Sequence, residues 1–183
     1  MKRALRLFML GVIVLAIGYV VYGRRAQIEA KIWHWRHGNS VNVGAYIVPV
    51  PDQWLVFDYE DPTAATLIDT RVHKTPDPLS AVDVITVIAL SSPARDLDFW
   101  ASFQRQWLER SGLRDIMQRT LQADDEVLIC LGGYQFRDAL KVPNSTAVSL
   151  ECQSSGRLSL IFSGHASGLP EFYSIASQIR KRK

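Results

Sequence analysis

The first strong pattern in the chain is an uncharged apolar run near the N-terminus. Residues 7–23 carry no charge, and Arg6 and Arg24 border them. A helix of this length spans about 25 Å, close to the roughly 30 Å core of a bilayer. The run therefore predicts a single transmembrane anchor over residues 7–23, preceded by a short basic tail over residues 1–6. A cleaved signal peptide is the alternative, because it also begins with basic residues and an apolar run.

The remainder of the chain divides into a short stalk and one domain. Residues 24–40 continue without a break signal and predict a juxtamembrane stalk, and residues 41–183 predict one globular domain, since their length suits a single core. A basic tail before an apolar run is typical of a signal anchor. We therefore expect a single-pass membrane protein whose C-terminal domain is extracytoplasmic, in a periplasm or outside the cell.

Strand patterns dominate the domain. Two runs rich in Val, Tyr, Trp and Phe flank residues 51–53, and residues 81–90 are mostly apolar and β-branched. Further strands are predicted at 116–122, 126–131, 134–140, 146–152 and 157–163, with a break at Gly132-Gly133. Together these runs predict an antiparallel meander.

Two helices accompany the strands. Residues 96–111 have acidic residues in the first turn and Gly112 after the last, and residues 170–179 begin with proline. In the first helix an apolar face recurs at spacings of three and four, formed by Trp100, Phe103, Trp107 and Leu108. We expect this face to belong to the core. The predicted fold class is α+β, a twisted antiparallel sheet covered by two helices and preceded by one transmembrane helix.

Charge is distributed unevenly along the chain. Nine of the 21 basic residues flank the apolar run or form the last four positions, which leaves 12 basic residues against 18 acidic ones in the body. A domain that binds nucleic acid concentrates Lys and Arg on one face. The acidic body therefore predicts no nucleic-acid partner. The basic tail at 180–183 could attract anionic lipid or an acidic partner, or be a frayed end.

Cys130 and Cys152 are the two cysteines, and each lies in a strand-like apolar stretch. If the two strands are neighbours, a disulfide would stabilise the fold by about 3 kcal/mol. Two buried free thiols are the alternative. The spacing has no C-x-x-C pair and so predicts no zinc or thioredoxin-like site.

Candidate catalytic chemistry is sparse. His34 and His37 have the spacing of two metal ligands on a helix, but no local third ligand; His73 and His165 stand alone. Carboxylates cluster at Asp58, Glu60 and Asp61, and again at Asp124, Asp125 and Glu126, where solvated turns are the favoured interpretation. The loop at 70–80 and the sequon at 144–146 are weaker candidates. No metal, cofactor or catalytic residue is assigned.

The order of elements resembles the superfamily shared by the PsbP extrinsic photosystem proteins and a Ran-binding nuclear-transport factor. The segment 48–54 (VPVPDQW), the helix at 96–111 and the segment 168–180 carry this resemblance, which covers most of residues 44–180. It implies the fold alone, because no functional motif is shared.

These observations predict a membrane-anchored, non-enzymatic accessory domain with a protein partner. The alternative is an anchored enzyme or metal-binding protein whose His and Asp/Glu side chains are brought together by folding. A third hypothesis gives the apolar helix itself a structural role, because Gly11 and Gly18 would share one of its faces.

Overall fold

The computed structural model describes residues 22–57, 61–72, 81–92, 96–111, 114–134 and 147–182. Within these ranges the chain forms three α-helices and ten strands. The helices are α1 (Arg25–His37), α2 (Leu97–Arg110) and α3 (Leu169–Ser177). The strands are β1 (Ser40–Val43), β2 (Tyr46–Pro49), β3 (Trp54–Phe57), β4 (Ala64–Asp69), β5 (Val84–Ala89), β6 (Arg114–Ala123), β7 (Glu126–Tyr134), β8 (Ala147–Ser154), β9 (Leu158–His165) and β10 (Arg180–Lys181).

The strands form two antiparallel sheets. The larger has seven strands in the order β3-β4-β5-β9-β8-β7-β6, and the smaller has three in the order β1-β2-β10. Four strands of the large sheet, from β6 to β9, pair in chain order, each antiparallel to the next. The two-residue strand β10 brings the C-terminal segment back to β2.

The core lies on one face of the seven-stranded sheet. Alternate side chains of β4, β5, β8 and β9 are buried on this face, as the two-residue period of a strand requires. Helix α1 packs on β3, α3 packs on β6 and β9, and β1 lies against β4 and β5. Phe162 of β9 and Phe172 of α3 meet at the centre, with ring centroids 5.2 Å apart. The larger side chains with less than 2% exposure include Trp54, Leu67, Ile85, Leu128, Leu131, Leu150, Leu158, Leu160 and Ile179.

Helix α2 lies on the opposite face of the same sheet, against β6 and β7. Its start is fixed by Asp96, whose Oδ1 accepts hydrogen bonds from the backbone N–H groups of Asp98 and Phe99 at 2.9 and 3.0 Å. On the other five strands of this face most outward side chains are half-buried or exposed, whereas Ala147 and Ser159 are buried.

The predicted fold class needs correction at its helices. The described residues hold three helices, where two were predicted to cover the sheet, and none of the three is long and apolar enough to span a membrane. The described residues thus give no support to the predicted transmembrane helix or to the single-pass, extracytoplasmic localisation that rested on it. Residues 1–21, which include nearly all of the apolar run and both Gly11 and Gly18, lie outside the described residues.

Helix α1, which falls in the segment predicted as a juxtamembrane stalk, has neither the length nor the composition of a membrane-spanning helix. It has 13 residues, so it spans about 20 Å, and it carries Arg25, Glu29, Lys31 and Arg36 along its length. A bilayer-spanning helix needs about 20 mostly apolar residues. The segment read as a stalk instead packs on the domain, since Ala30 and Trp33 are buried.

Strand β7 differs from its prediction at Gly132 and Gly133. The sequence reads as a break there, but β7 continues to Tyr134 and pairs with β8 from Leu128 onward. A Cβ at Gly132 would overlap the backbone of Ser149 and Leu150 in β8. The glycine therefore permits close approach of the neighbouring strand. Residues 135–146, which hold most of the strand predicted at 134–140 and the sequon, lie outside the described residues.

Candidate functional site

Three large aromatic side chains are exposed on one side of α2. Phe99, Phe103 and Trp107 are spaced four residues apart, and 71%, 59% and 53% of their surfaces are accessible. Residues four apart lie one above another on a helix. We call these three residues the aromatic stripe.

The aromatic stripe corrects the sequence interpretation of this helix. Phe103 and Trp107 were expected in the core, and that prediction is wrong. Leu108 faces the sheet and is 3% exposed, and Trp100 is half-buried. The helix thus has two adjacent apolar sides, of which the sheet covers one.

Trp107 of the aromatic stripe borders the face of the large sheet beyond β6 and β7, where it lines a pocket with Ile161 of β9. One row across the sheet runs Glu151, Ile161, Thr86, Thr66 and Phe57, as the pairing registers show. The outward positions of the five strands β8, β9, β5, β4 and β3 hold Ser, Thr, Gln, His and aliphatic or aromatic residues, and Glu151 is the one carboxylate or Lys/Arg side chain among them. We call this surface the open face. An exposed sheet face is ordinarily polar and charged, so its composition is unusual.

A small pocket joins the aromatic stripe to the open face. Its volume is about 220 Å³. The lining residues are Gln104, Trp107, Leu108, Leu131, Ser149, Glu151 and Ile161. The Glu151 Oε2 atom accepts a hydrogen bond of 2.9 Å from Gln104 Nε2. Burial raises the pKa of Glu151, and the Gln104 hydrogen bond opposes that rise. The pocket therefore combines apolar walls with one partly desolvated carboxylate.

A second, larger cavity of about 700 Å³ lies where the β1–β2 turn meets the ends of β5 and β7. Glu126 at its wall is 4% exposed, and its Oε1 accepts hydrogen bonds from Tyr46 Oη at 2.7 Å and Lys181 Nζ at 3.0 Å. Burial and the hydrogen bond to Glu126 raise the pKa of Tyr46 to about 12. Hydrogen bonds to Glu126 and then Asp125 raise the pKa of Lys181. The Glu126 carboxylate is desolvated, but hydrogen bonds from Ser154, Tyr46 and Lys181 outweigh this and lower its pKa.

The predicted carboxylate clusters therefore have different environments. The interpretation of a solvated turn is wrong for Glu126, which is buried, whereas Asp125 remains exposed and pairs with Lys181. Asp61 is exposed and accepts hydrogen bonds from the backbone and hydroxyl of Thr63, both at 2.7 Å. Asp58 and Glu60 lie outside the described residues.

The histidines do not assemble into a metal site in the described part of the chain. His34 lies between backbone oxygens, with Nε2 3.0 Å from the Pro51 oxygen and 3.1 Å from that of Trp54. His37 stacks on Trp33, and His165 contacts the Ser167 hydroxyl. No group of three or more His, Cys, Asp or Glu side chains among these residues could hold a metal ion. His73, with most of the 70–80 loop, lies outside the described residues.

Cys130 and Cys152 stand directly opposite each other in β7 and β8. They form a disulfide with an S–S distance of 2.03 Å, and both are fully buried. The sequence left a disulfide and two free thiols open, and the register of the two strands decides between them. The bond is a structural crosslink, since it faces the core.

The basic C-terminal segment is also part of the fold. Arg180 and Lys181 pair with β2, and Ile179 before them is 1% exposed. Lys181 bridges Asp125 and Glu126. The interpretation of a frayed tail is thus wrong up to Arg182, and Lys183 lies outside the described residues.

Sequence reasoning did not identify Tyr46, Arg157 or Glu151 as site residues. Tyr46 and Glu126 are 80 positions apart, and Gln104 and Glu151 are 47 apart. Each pairing depends on strand order in the large sheet and on the return of β10, and no local spacing encodes either.

Comparison with known proteins gives a local likeness. No family model matches the chain. The chain is 29% identical over 109 residues to the cobyric acid synthase of Cutibacterium acnes (strain DSM 16379 / KPA171202), a stretch that covers 57% of this chain. It spans about a fifth of the length of that curated relative. The likeness is thus confined to a small part of the larger protein.

Proposed function

We propose that this chain is a non-enzymatic protein-binding domain that holds a segment of a partner protein against the aromatic stripe and the adjoining open face. The observation that carries the proposal is the exposure of Phe99, Phe103 and Trp107 on one side of a single helix. Contiguous exposed apolar surface marks interaction sites, and aromatic residues dominate the binding energy of interfaces. The proposal retains the accessory role predicted from the sequence, without the membrane anchor.

The pocket beside Trp107 suggests the chemistry of the partner. Its volume of about 220 Å³ is below the roughly 300–1,000 Å³ typical of small-molecule sites, and it suits a single apolar side chain of a peptide. Glu151 in the same pocket has one hydrogen bond, from Gln104, and faces a surface without Lys or Arg on the described strands. A basic side chain next to the apolar one would neutralise this carboxylate. We therefore propose a partner segment with an apolar residue adjacent to Lys or Arg.

The likeness to cobyric acid synthase adds no activity to this proposal. The aligned stretch is a fifth of that protein, and no feature of either cavity points to the reaction in its name. The resemblance to the PsbP-like superfamily stays a proposal about the fold.

Selection of a random peptide library displayed on phage, with the full chain as bait, tests the function. We expect enrichment of peptides that place an apolar residue next to Lys or Arg. Synthetic copies should lose at least tenfold in affinity for Trp107→Ala, because truncating a central interface aromatic costs about 2 kcal/mol or more. Trp35→Ala is the matched control, since Trp35 is 84% exposed on α1, and its affinity should be unchanged.

Two outcomes would contradict the proposal. One is the absence of enrichment, or enriched peptides that bind Trp107→Ala as well as the unchanged chain. The other is self-association: if the chain is a dimer by analytical ultracentrifugation and Trp107→Ala makes it monomeric, a second copy occupies the surface instead of a different protein.

A further inference from the structure

Another exposed aromatic side chain lies at the far end of the open face. Phe57 of β3 is 60% exposed, and the alternation of this strand buries Trp54 and Val56 on the opposite side. The row across the sheet that starts at Glu151 in β8 ends at Phe57. The pocket beside Trp107 and the Phe57 ring are therefore at opposite ends of one row.

Between these two ends the row presents hydroxyl groups. Thr86 of β5 and Thr66 of β4 stand directly opposite each other, and both are half-buried. Neither hydroxyl forms a hydrogen bond with a described residue. The adjoining rows of β4 and β5 are aliphatic, with Ala64, Ile68, Val84 and Ile88. An extended peptide can thus hydrogen-bond its backbone to the two hydroxyls, since a hydroxyl both donates and accepts.

The strand order fixes the distance between the two ends of the row. Four steps separate β8 from β3 in the order β8-β9-β5-β4-β3. Neighbouring strands are about 4.8 Å apart, so the row is about 19 Å long. An extended chain advances about 3.3 Å per residue, and about six positions therefore cover this distance.

We propose that the partner segment crosses the strands along this row and carries two apolar residues about six positions apart. The first fills the pocket beside Trp107, with its Lys or Arg neighbour at Glu151, and the second packs on Phe57. This inference rests on the proposed function, since it describes the same segment. Charge complementarity favours this occupant: Glu151 is the one carboxylate or Lys/Arg side chain among the described outward positions, so it matches one basic residue at one end and uncharged residues along the remainder.

Fluorescence anisotropy of labelled synthetic peptides with the full chain tests the spacing. Each peptide begins with Leu-Lys, continues with Ser and Gly, and carries a second Leu three, six or nine positions after the first. A fourth peptide lacks the second Leu, and every sequence is also made in reverse order. In one of the two orders, we expect the six-position peptide to bind at least tenfold more tightly than the other three. Two linked contacts reinforce each other most when the linker matches the span.

The variant Phe57→Ala connects this gain to the far end of the row. It should lower the affinity of the six-position peptide at least tenfold and leave that of the peptide without a second Leu unchanged. Tyr22→Ala is the matched control, because Tyr22 is an aromatic residue that is 79% exposed ahead of α1. It should bind every peptide as the unchanged chain does.

Phe57→Ala is expected to fold, because most of the ring is in water, and its circular dichroism spectrum checks this. The inference is overturned if the six-position peptide does not bind, if its gain over the others is below tenfold, or if the folded Phe57→Ala variant retains full affinity. Failure of the proposed function is distinguishable, because Trp107→Ala then leaves the affinity of the phage-selected peptides unchanged. If only the spacing is wrong, those peptides still depend on Trp107.

Discussion

Two substitutions in α2 test whether the aromatic stripe faces solvent, as the proposed peptide binding requires. Leu108 is 3% exposed and Phe103 is 59% exposed, although both belong to the same apolar pattern of one helix. Leu108→Ala removes a buried side chain, which costs about 2–5 kcal/mol through lost transfer energy and the remaining cavity. Phe103→Gln removes a ring that is mostly in water and introduces a better helix former, so we expect a change below about 1 kcal/mol.

Urea unfolding of the full chain, followed by circular dichroism, measures both variants under the same conditions. A domain of this size is stable by about 5–15 kcal/mol, so the loss expected for Leu108→Ala is readily resolved. The denaturant slope should be unchanged in both variants, because neither alters the surface exposed on unfolding by much. If Phe103→Gln costs as much as Leu108→Ala, the ring is buried in the isolated chain and the aromatic stripe is not available to a partner.

Three further predictions concern the crosslink and the two carboxylates. Replacing Cys130 and Cys152 by alanine should cost at least about 3 kcal/mol, because the bond closes a separation of 22 residues; a midpoint equal to that of the oxidised chain would contradict this. Gly156→Ala should lower stability by about 1–3 kcal/mol, since its Cβ would overlap the Glu126 carboxylate; an unchanged melting temperature would oppose it. Burial raises the pKa of Glu151, so its ionised form disfavours the folded state, and Glu151→Gln should stabilise the free chain at neutral pH. That gain should fade as the pH falls below the raised pKa, and a difference independent of pH would refute the assignment.

The sequence located elements whose boundaries have local chemical signals. Asp96 marks the start of α2, because its carboxylate accepts hydrogen bonds from free N–H groups of the first turn. In α3 the pattern of Phe172, Ile175 and Ala176 predicted a buried face correctly, since α3 presents a single apolar side to the core. Local propensity and period suffice where only one arrangement buries the apolar residues.

The burial of α2 could not be predicted in the same way. Its apolar residues occupy two adjacent sides, so Trp107 and Leu108 are neighbours in sequence with opposite environments. Which side is covered depends on the position of α2 over β6 and β7 rather than over the middle of the sheet. That position is a property of the strand order, in which β9 inserts between β5 and β8.

The wall of the larger cavity, which contains Glu126, also depends on the order of the strands in the two sheets. Glu126 begins β7 and Tyr46 begins β2, and they meet because the small sheet packs across the large one while Lys181 returns along β2. In the sequence the three acidic residues at 124–126 look alike, and a solvated turn is the simplest interpretation of all of them. The fold separates them by burying only the side chain that receives a hydrogen bond from Tyr46 and an ion pair from Lys181, because a carboxylate is buried at acceptable cost only when it is paired. The position of this buried carboxylate therefore follows from topology, which no local sequence pattern encodes.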